Sequence, residues 1–384
     1  MRDYKYISAD THLEVSPDSW RSYVDREFHE WMPKVVKLDN GGDAWLMPGP
    51  KAIKVPLGLN YAAGRGWKNL KPTGISYSEK PAGSGDGAQR LSEMDQDGVD
   101  AEILFPAVSG QRSLDGLGVP REAYVAMARG YNNWLSKEFC SVDPDRLLGC
   151  AILPISNAED AATEYRRAAK LPGIRTVILH QWPNGTGRPA PEDEVFWQAA
   201  EEIGLPLSVH VSFGGGAAGD KRPEGFLNFA PINYLMSRDG GDIGYCMMQL
   251  ITGRVFDRHP SLHIAYAECG AGWIPYYAEQ ADSNYMRHRY WAKIELAHQP
   301  SYYVKHHFLF GIQDDYYAVK NRHTIGVENI MWATDFPHVA TNWPDSMKLI
   351  DELFKGVAED EKRQMFVRML GASTNLPDQS RSLA

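Results

Sequence analysis

The feature that most restricts what this chain can fold into is an alternation. Short apolar runs recur along its length, separated by stretches long and amphipathic enough to be helices, which is the pattern of a parallel α/β fold. Eight runs read as strands: Tyr4–Asp10, Asp100–Pro106, Leu147–Pro154, Arg175–His180, Leu205–Val211, Leu262–Glu268, His306–Ile312 and Asn329–Asp335. Helical periodicity falls between them, for example over Tyr124–Cys140, Ala158–Leu171, Glu192–Ile203 and Asp345–Phe354. Eight such units predict a closed (β/α)8 TIM barrel rather than an open doubly wound sheet. No G-x-G-x-x-G follows the first strand, so a dinucleotide site has no support.

Three stretches depart from the repeat. Residues 28–89, after the first strand, are rich in Gly, Pro and Trp and end in Lys80-Pro-Ala-Gly-Ser-Gly-Asp-Gly-Ala88. A loop that long is usually functional, and its aromatic residues predict a packed lid over the barrel mouth. Trp45, Tyr61 and Trp67, with Trp182 and Phe213 elsewhere, are lid or loop-packing candidates. Gly214–Asp242 follows the fifth strand and is expected to overhang the same end. Residues 276–303, after the sixth strand, read as a helical insertion suited to an oligomer contact. The expectation is one barrel domain over residues 1–375 and a loose polar tail over 376–384.

Composition narrows the function classes. Hydrophobic residues at 43% and charged residues at 23% are ordinary globular usage. The net charge of -9 argues against a nucleic-acid partner, which demands a basic face. No Lys/Arg block suggests a membrane surface, and no apolar run approaches the ~18 residues of a spanning helix. Met1–Lys5 leads into a strand without the apolar core of a signal peptide, so a cytoplasmic location is expected. Cys140, Cys150, Cys246 and Cys269 form no C-x-x-C pair and read as buried free thiols.

In a barrel of this kind the C-terminal strand ends form the floor of the active site. The first strand runs into Asp10-Thr11-His12-Leu13-Glu14, where His12 and Glu14 share a face because residues i and i+2 point the same way in extended chain. The fourth strand ends in His180, the fifth in His210, the sixth in Glu268, and the eighth in Asp335, followed by Phe336-Pro337-His338. A lone histidine at a strand end is more often hydrogen-bonded structure than a ligand. Several at corresponding levels, with acids beside them, make metal ligation the better account. His12, Glu14, His180, His210, Glu268 and Asp335 are the candidate metal ligands, and Asp335 and His338 the candidate catalytic residues. Glu14 and Glu268 could instead orient a ligating histidine. His180, ahead of Gln181-Trp182-Pro183, could contact substrate, and His338 could be ligand or base. Asp10 is expected to hydrogen-bond near the base of the site.

Histidine and carboxylate ligands without thiolate suit zinc, iron or manganese, and a carboxylate-rich set favours the last two. A hydrolytic zinc site needs three protein ligands and an open position. Here there are enough ligands for two metals about 3.5–4 Å apart.

At these residues the sequence resembles the amidohydrolase-related metalloenzymes, the branch that includes aminocarboxymuconate-semialdehyde-type decarboxylases. The resemblance runs through Ile7–Glu14 with Pro17-Asp-Ser-Trp20, Arg90–Asp100, Tyr131–Leu135, Asp143–Leu147, Phe256–Pro260, Ala267–Pro275 and Trp332–His338. It implies that His12 is the first histidine of a strand-one pair, His210 the strand-five ligand, and Asp335 a carboxylate that touches metal and shuttles a proton. Glu14 stands where relatives carry the second histidine, Glu268 replaces a strand-six histidine, and His180 stands in place of a bridging lysine. Such carboxylate enrichment resembles the minority of this fold that are dinuclear iron or manganese–iron oxygenases.

The function expected first is therefore oxygen-dependent hydroxylation of a small polar aliphatic, amino-acid-like substrate at a dinuclear Fe or Mn/Fe centre. It would bring a reductase partner and a homo- or hetero-oligomer with a related barrel subunit. The alternatives are a divalent-metal hydrolase or non-oxidative decarboxylase of a small carboxylic acid or amide, with zinc if mononuclear, and a non-catalytic partner subunit.

Overall fold

A computed structural model describes residues 3–47, 49, 52–107, 118–210 and 240–371. Eight strands form one sheet: β1 (Ile7–Leu13), β5 (Ala101–Pro106), β6 (Leu147–Ile152), β7 (Ile174–Ile178), β8 (Leu207–His210), β9 (Ile264–Ala267), β10 (Phe308–Ile312) and β11 (Ile330–Trp332). Every neighbouring pair is parallel, in sequence order. The residues just past β11 meet β1 and all but close the ring: Thr334 N–H donates to Ser8 Oγ at 2.8 Å, Asp335 N–H to the Asp10 carbonyl at 3.0 Å, and His12 N–H to the Phe336 carbonyl at 2.7 Å. The expected (β/α)8 barrel is the architecture found.

The strands read as continuous apolar runs because both their faces are buried, one by helices and one by the barrel interior. All residues of β5, β6 and β10 are buried. Helices α1 (Gly87–Asp97), α2 (Arg121–Trp134), α3 (Ala158–Ala168), α4 (Glu194–Ile203) and α5 (Gly241–Thr252) lie between them. Asp86 and Asn157 cap α1 and α3 by accepting the N–H groups of Gln89 and Asp160, which fixes where those helices begin. α6 (Ile274–Ala292) and α7 (Pro300–His307) follow β9, and α8 (Ser346–Leu353) and α9 (Glu359–Gly371) follow β11.

The expected strand over His306–Ile312 is shorter than anticipated. Pro300 starts a helix that runs through His307, and the strand begins at Phe308. His307 Nδ1 lies 2.9 Å from the Leu262 carbonyl, at the N-terminal side of the barrel. The helical insertion is likewise two helices broken between Ala292 and Pro300 rather than one over 276–303.

The 28–89 segment carries its own antiparallel sheet of β2 (Lys34–Lys37), β3 (Asp43–Met47) and β4 (Ile53–Pro56). It is fastened to the strand ends by Ala62 and Ala63 N–H groups donating to the Pro337 carbonyl and by Tyr61 O–H donating to the Glu14 carbonyl at 2.7 Å. Trp45, Tyr61 and Trp182 are buried packing residues, whereas Trp67 is 84% exposed. Phe213, residues 214–239 of the expected overhang and the tail 376–384 lie outside the described residues. The four cysteines are free and buried. Among the described residues no helix is long and apolar enough to cross a membrane.

Candidate metal centre

Strand β1 and the residue that follows it carry three acidic or imidazole side chains within five residues: Asp10, His12 and Glu14, all buried. Its pairing with β5 slips between Ser8 and Thr11, at Ala9 and Asp10. Such a bulge re-aims a side chain and is common beside active sites. β8 adds His210 at its last position, and Asp335 and His338 come from the turn after β11. Asp335 and Glu268 both have φ of +53°, a left-handed conformation costly for side-chain-bearing residues and concentrated at functional sites.

The donor atoms of Asp10, His12, His210 and Asp335 all lie within 4.8 Å of one another. His12 Nε2 is 2.9 Å from His210 Nε2, 3.5 Å from Asp10 Oδ1 and 3.4 Å from Asp335 Oδ1. His210 Nε2 is 3.5 Å from Asp10 Oδ2. His12 Nδ1 lies 3.2 Å from the Pro106 carbonyl, which can only accept; Nδ1 therefore carries the proton and Nε2 presents its lone pair inward. Both Asp10 oxygens are buried without a hydrogen-bond donor. A carboxylate stripped of water and donors is costly unless a cation offsets its charge. Two imidazole nitrogens and two carboxylates converging in this way fit a divalent cation.

A second group shares His12. His338 stacks on the His12 ring at a centroid distance of 3.8 Å, and its Nε2 is 2.9 Å from Glu14 Oε1 while its Nδ1 is 3.4 Å from Asp335 Oδ1. The potential ligand atoms of His12, Glu14 and His338 also fall within 4.8 Å of one another. Asn60, from the 28–89 segment, donates to the same Glu14 oxygen at 3.3 Å.

Charge in this cluster is uneven. Burial works against a protonated His338, but Asp335 and then Glu14 outweigh it and raise its pKa to about 10. Burial also works against an ionised Asp335, yet His338 and His12 hold its carboxyl well below the usual carboxylate range. His12 is pushed down by burial and by the neighbouring His338. For His210 the effect of burial is overcome by Asp10 and Glu268, and its pKa rises. Without metal, His210 is therefore the donor to the His12 lone pair.

The expected residues divide accordingly. His12, His210 and Asp335 meet in the first group, and Glu14 and His338 in the second. Glu268 is 17% exposed, with Oε2 3.6 Å from His210 Nε2, at the rim rather than in either group. His180, just past β7, is in neither group among the described residues. Asp10 was undervalued by sequence: alternation put it on the His12 side of the strand, but only β8 and the turn after β11 show that no donor meets it.

Arg90 of α1 was also hidden. It is buried and pairs with buried Glu102 of β5 at 2.5 Å, while its Nη2 donates to the His12 carbonyl at 3.0 Å and its guanidinium stacks over Phe336 at 4.6 Å. It thus ties together β1, β5 and the turn carrying Asp335. Away from the site, His259 lies between Glu201 (2.8 Å) and Glu194 (2.9 Å) and fastens α4 to the loop after α5.

The model of the amidohydrolase family matches residues 9–368. The chain is 24% identical over 204 residues to the decarboxylase orsB of Emericella nidulans, a match spanning 51% of this chain and 56% of that protein. It is 22% identical over 302 residues to a gamma-resorcylate decarboxylase of a Rhizobium species, covering 72% of this chain and 86% of the relative. In fold it resembles the 5-carboxyvanillate decarboxylase of Novosphingobium aromaticivorans, solved with manganese and a nitrobenzoic acid, with a TM-score of 0.65, 18% identity, and coverage of 97% and 96% of the two chains.

Proposed function

The chain belongs to the amidohydrolase family, and from that premise we propose that it is a metal-dependent, non-oxidative decarboxylase of a small carboxylic acid, aromatic as in its relatives. The observation that carries this reading is the buried meeting of Asp10, His12, His210 and Asp335, beside a histidine that holds a proton. The support from outside is that curated relatives matched over much of the chain are named as decarboxylases. The oxygenation expected from the Glu14 and Glu268 exchanges has no such support.

Asp10, His12, His210 and Asp335 would hold one divalent cation, and manganese accompanies the relative of like fold. Bound there, the cation would offset the buried negative charge and offer an anionic carboxylate substrate a positive centre. The chain's own residues would do the rest. His12 is fixed by its Nδ1–Pro106 contact and by Arg90 on its carbonyl. Loss of carbon dioxide leaves an electron pair on the ring carbon, which must take up a proton. His338, whose pKa Asp335 and Glu14 raise to about 10 in the metal-free protein, sits 3.4 Å from Asp335, so the pair could pass a proton to that carbon. Glu14 and Asn60 keep the imidazolium in place from the other side. The 28–89 segment, fastened at Pro337 and Glu14, would serve as the lid that excludes water.

The second ligand group, His12, Glu14 and His338, is the specific observation in favour of a second reading, a two-metal oxygenase. One experiment separates them. Protein loaded with manganese or iron is assayed for metal content and, without oxygen, for carbon dioxide release from a panel of hydroxybenzoic acids. Decarboxylation predicts one metal per chain and anaerobic turnover that Asp335→Asn abolishes. Two redox metals per chain, with oxygen consumed and a hydroxylated product, would overturn it.

A further inference from the structure

We propose that Gln313 binds the substrate through an uncharged oxygen on its ring, an inference that rests on the decarboxylase reading above. Gln313 directly follows β10 and is 3% exposed. The strand register places it. His210, which belongs to the first ligand group, pairs with Ala267 of β9, and Tyr266 pairs with Phe310, so Gly311 stands beside Ala267. Residues in register across parallel strands share a face, and faces alternate along a strand. Gly311 and Gln313 therefore lie on the inward face that carries His210, with Gln313 nearer the mouth. On its other side Gly311 pairs with Met331, which sets Gln313 beside Ala333, two residues before Asp335.

The fold makes no use of its carboxamide. Nε2 is buried, and no acceptor among the described residues meets it. A buried donor without an acceptor is costly, and a bound molecule that supplies one removes the cost. Gln313 also lines a cavity of about 370 Å³ at the ends of β9 and β10, and a half-turn of the terminal amide brings its N–H to that space. The walls are fixed, because Asp315 accepts the N–H groups of Ala271 at 2.6 Å, Gly272 at 2.9 Å and Ala318 at 2.9 Å. Charge selects the ligand. Asp314 and Asp315 line the cavity, and among the described residues no Lys or Arg does. A second carboxylate there would meet like charge. A hydroxyl is neutral, accepts from Gln313 and keeps a proton to donate onward to a carboxylate.

Calorimetry on the manganese-loaded full chain, titrated with benzoic acid, its monohydroxy isomers and the benzenedicarboxylic acids, tests the contact. Wild-type protein is expected to bind one hydroxy isomer about tenfold more tightly than benzoic acid, and the dicarboxylic acid of the same substitution no better than benzoic acid. Gln313→Met keeps the length of the side chain and removes its hydrogen-bonding group. It should erase the tenfold preference while melting no lower than wild type and binding manganese equally well. A glutamine that only supports the fold would instead lower the melting temperature on replacement and weaken all the acids alike. That outcome, or a wild type that ignores the hydroxyl or prefers the dicarboxylic acid, would overturn the proposal. Anaerobic carbon dioxide release, measured on the same samples, reports on decarboxylation separately. Hydroxyl preference without turnover removes the decarboxylase reading and keeps the Gln313 contact, and turnover without the preference does the reverse.

Discussion

Replacing Arg90 with methionine sets two roles of one side chain against each other. Arg90 and Glu102 are both almost wholly buried and lie 2.5 Å apart. Removing one partner of such a pair strands the other charge and costs ~3–5 kcal/mol. With an unfolding entropy of about 2.1 cal/mol/K per residue, a chain of 384 residues loses on the order of 4–6 °C in Tm. Burial already raises the pKa of Glu102 against the pull of Arg90, so without the guanidinium Glu102 escapes part of this cost by taking up a proton. Removing both charges, as in Arg90→Met with Glu102→Leu, should therefore recover most of the lost stability, because apolar residues of similar volume replace buried pairs at little cost. It cannot restore the hydrogen bond to the His12 carbonyl or the stacking on Phe336. Supports of a ligating residue are worth about 10–100-fold in metal affinity. Thermal melts with chelator present, and manganese titration against a chelating dye, read the two effects separately. A double variant that regains wild-type manganese affinity would refute the argument that Arg90 positions His12.

Other outcomes follow from the same geometry. Asp10→Asn should weaken manganese binding by at least tenfold, and Glu268→Gln by much less, because only Asp10 has both oxygens buried without a donor; dye competition measures both. Manganese binding should release more protons as pH falls, since ligation needs a neutral His210 whose pKa Asp10 raises, and calorimetry in buffers of different ionisation enthalpy counts them. In metal-free protein the raised pKa of His338, about 10 against 6.5, means that its stabilising charge is fully present below pH 6.5 and lost as pH rises through 10. Denaturant midpoints should fall over that window, and His338→Ala should flatten the slope.

What the sequence determined by itself was the repeating part. Runs such as Ala101–Pro106 and Leu147–Ile152 are apolar throughout because parallel strands are buried on both faces, and that signal is local. The strand-end rule then located His12, His210 and Asp335, since a residue that closes a barrel strand faces the mouth whatever lies around it. The tertiary structure decided everything that depends on convergence. In sequence Asp10 reads as a hydrogen-bonding residue near the base of the site and Glu268 as a metal ligand. A slip in the β1–β5 register, His210 and the turn after β11 surround the first and leave it without a donor, while the second stays at the rim. His180, expected at a strand end, lies two residues past β7 and falls outside both ligand groups. Arg90 lies far from His12 along the chain and on a helix, so no periodicity could assign it to the carbonyl it holds. Position along a strand is written in the order of residues, whereas the distance between two strand ends is set by how the barrel closes.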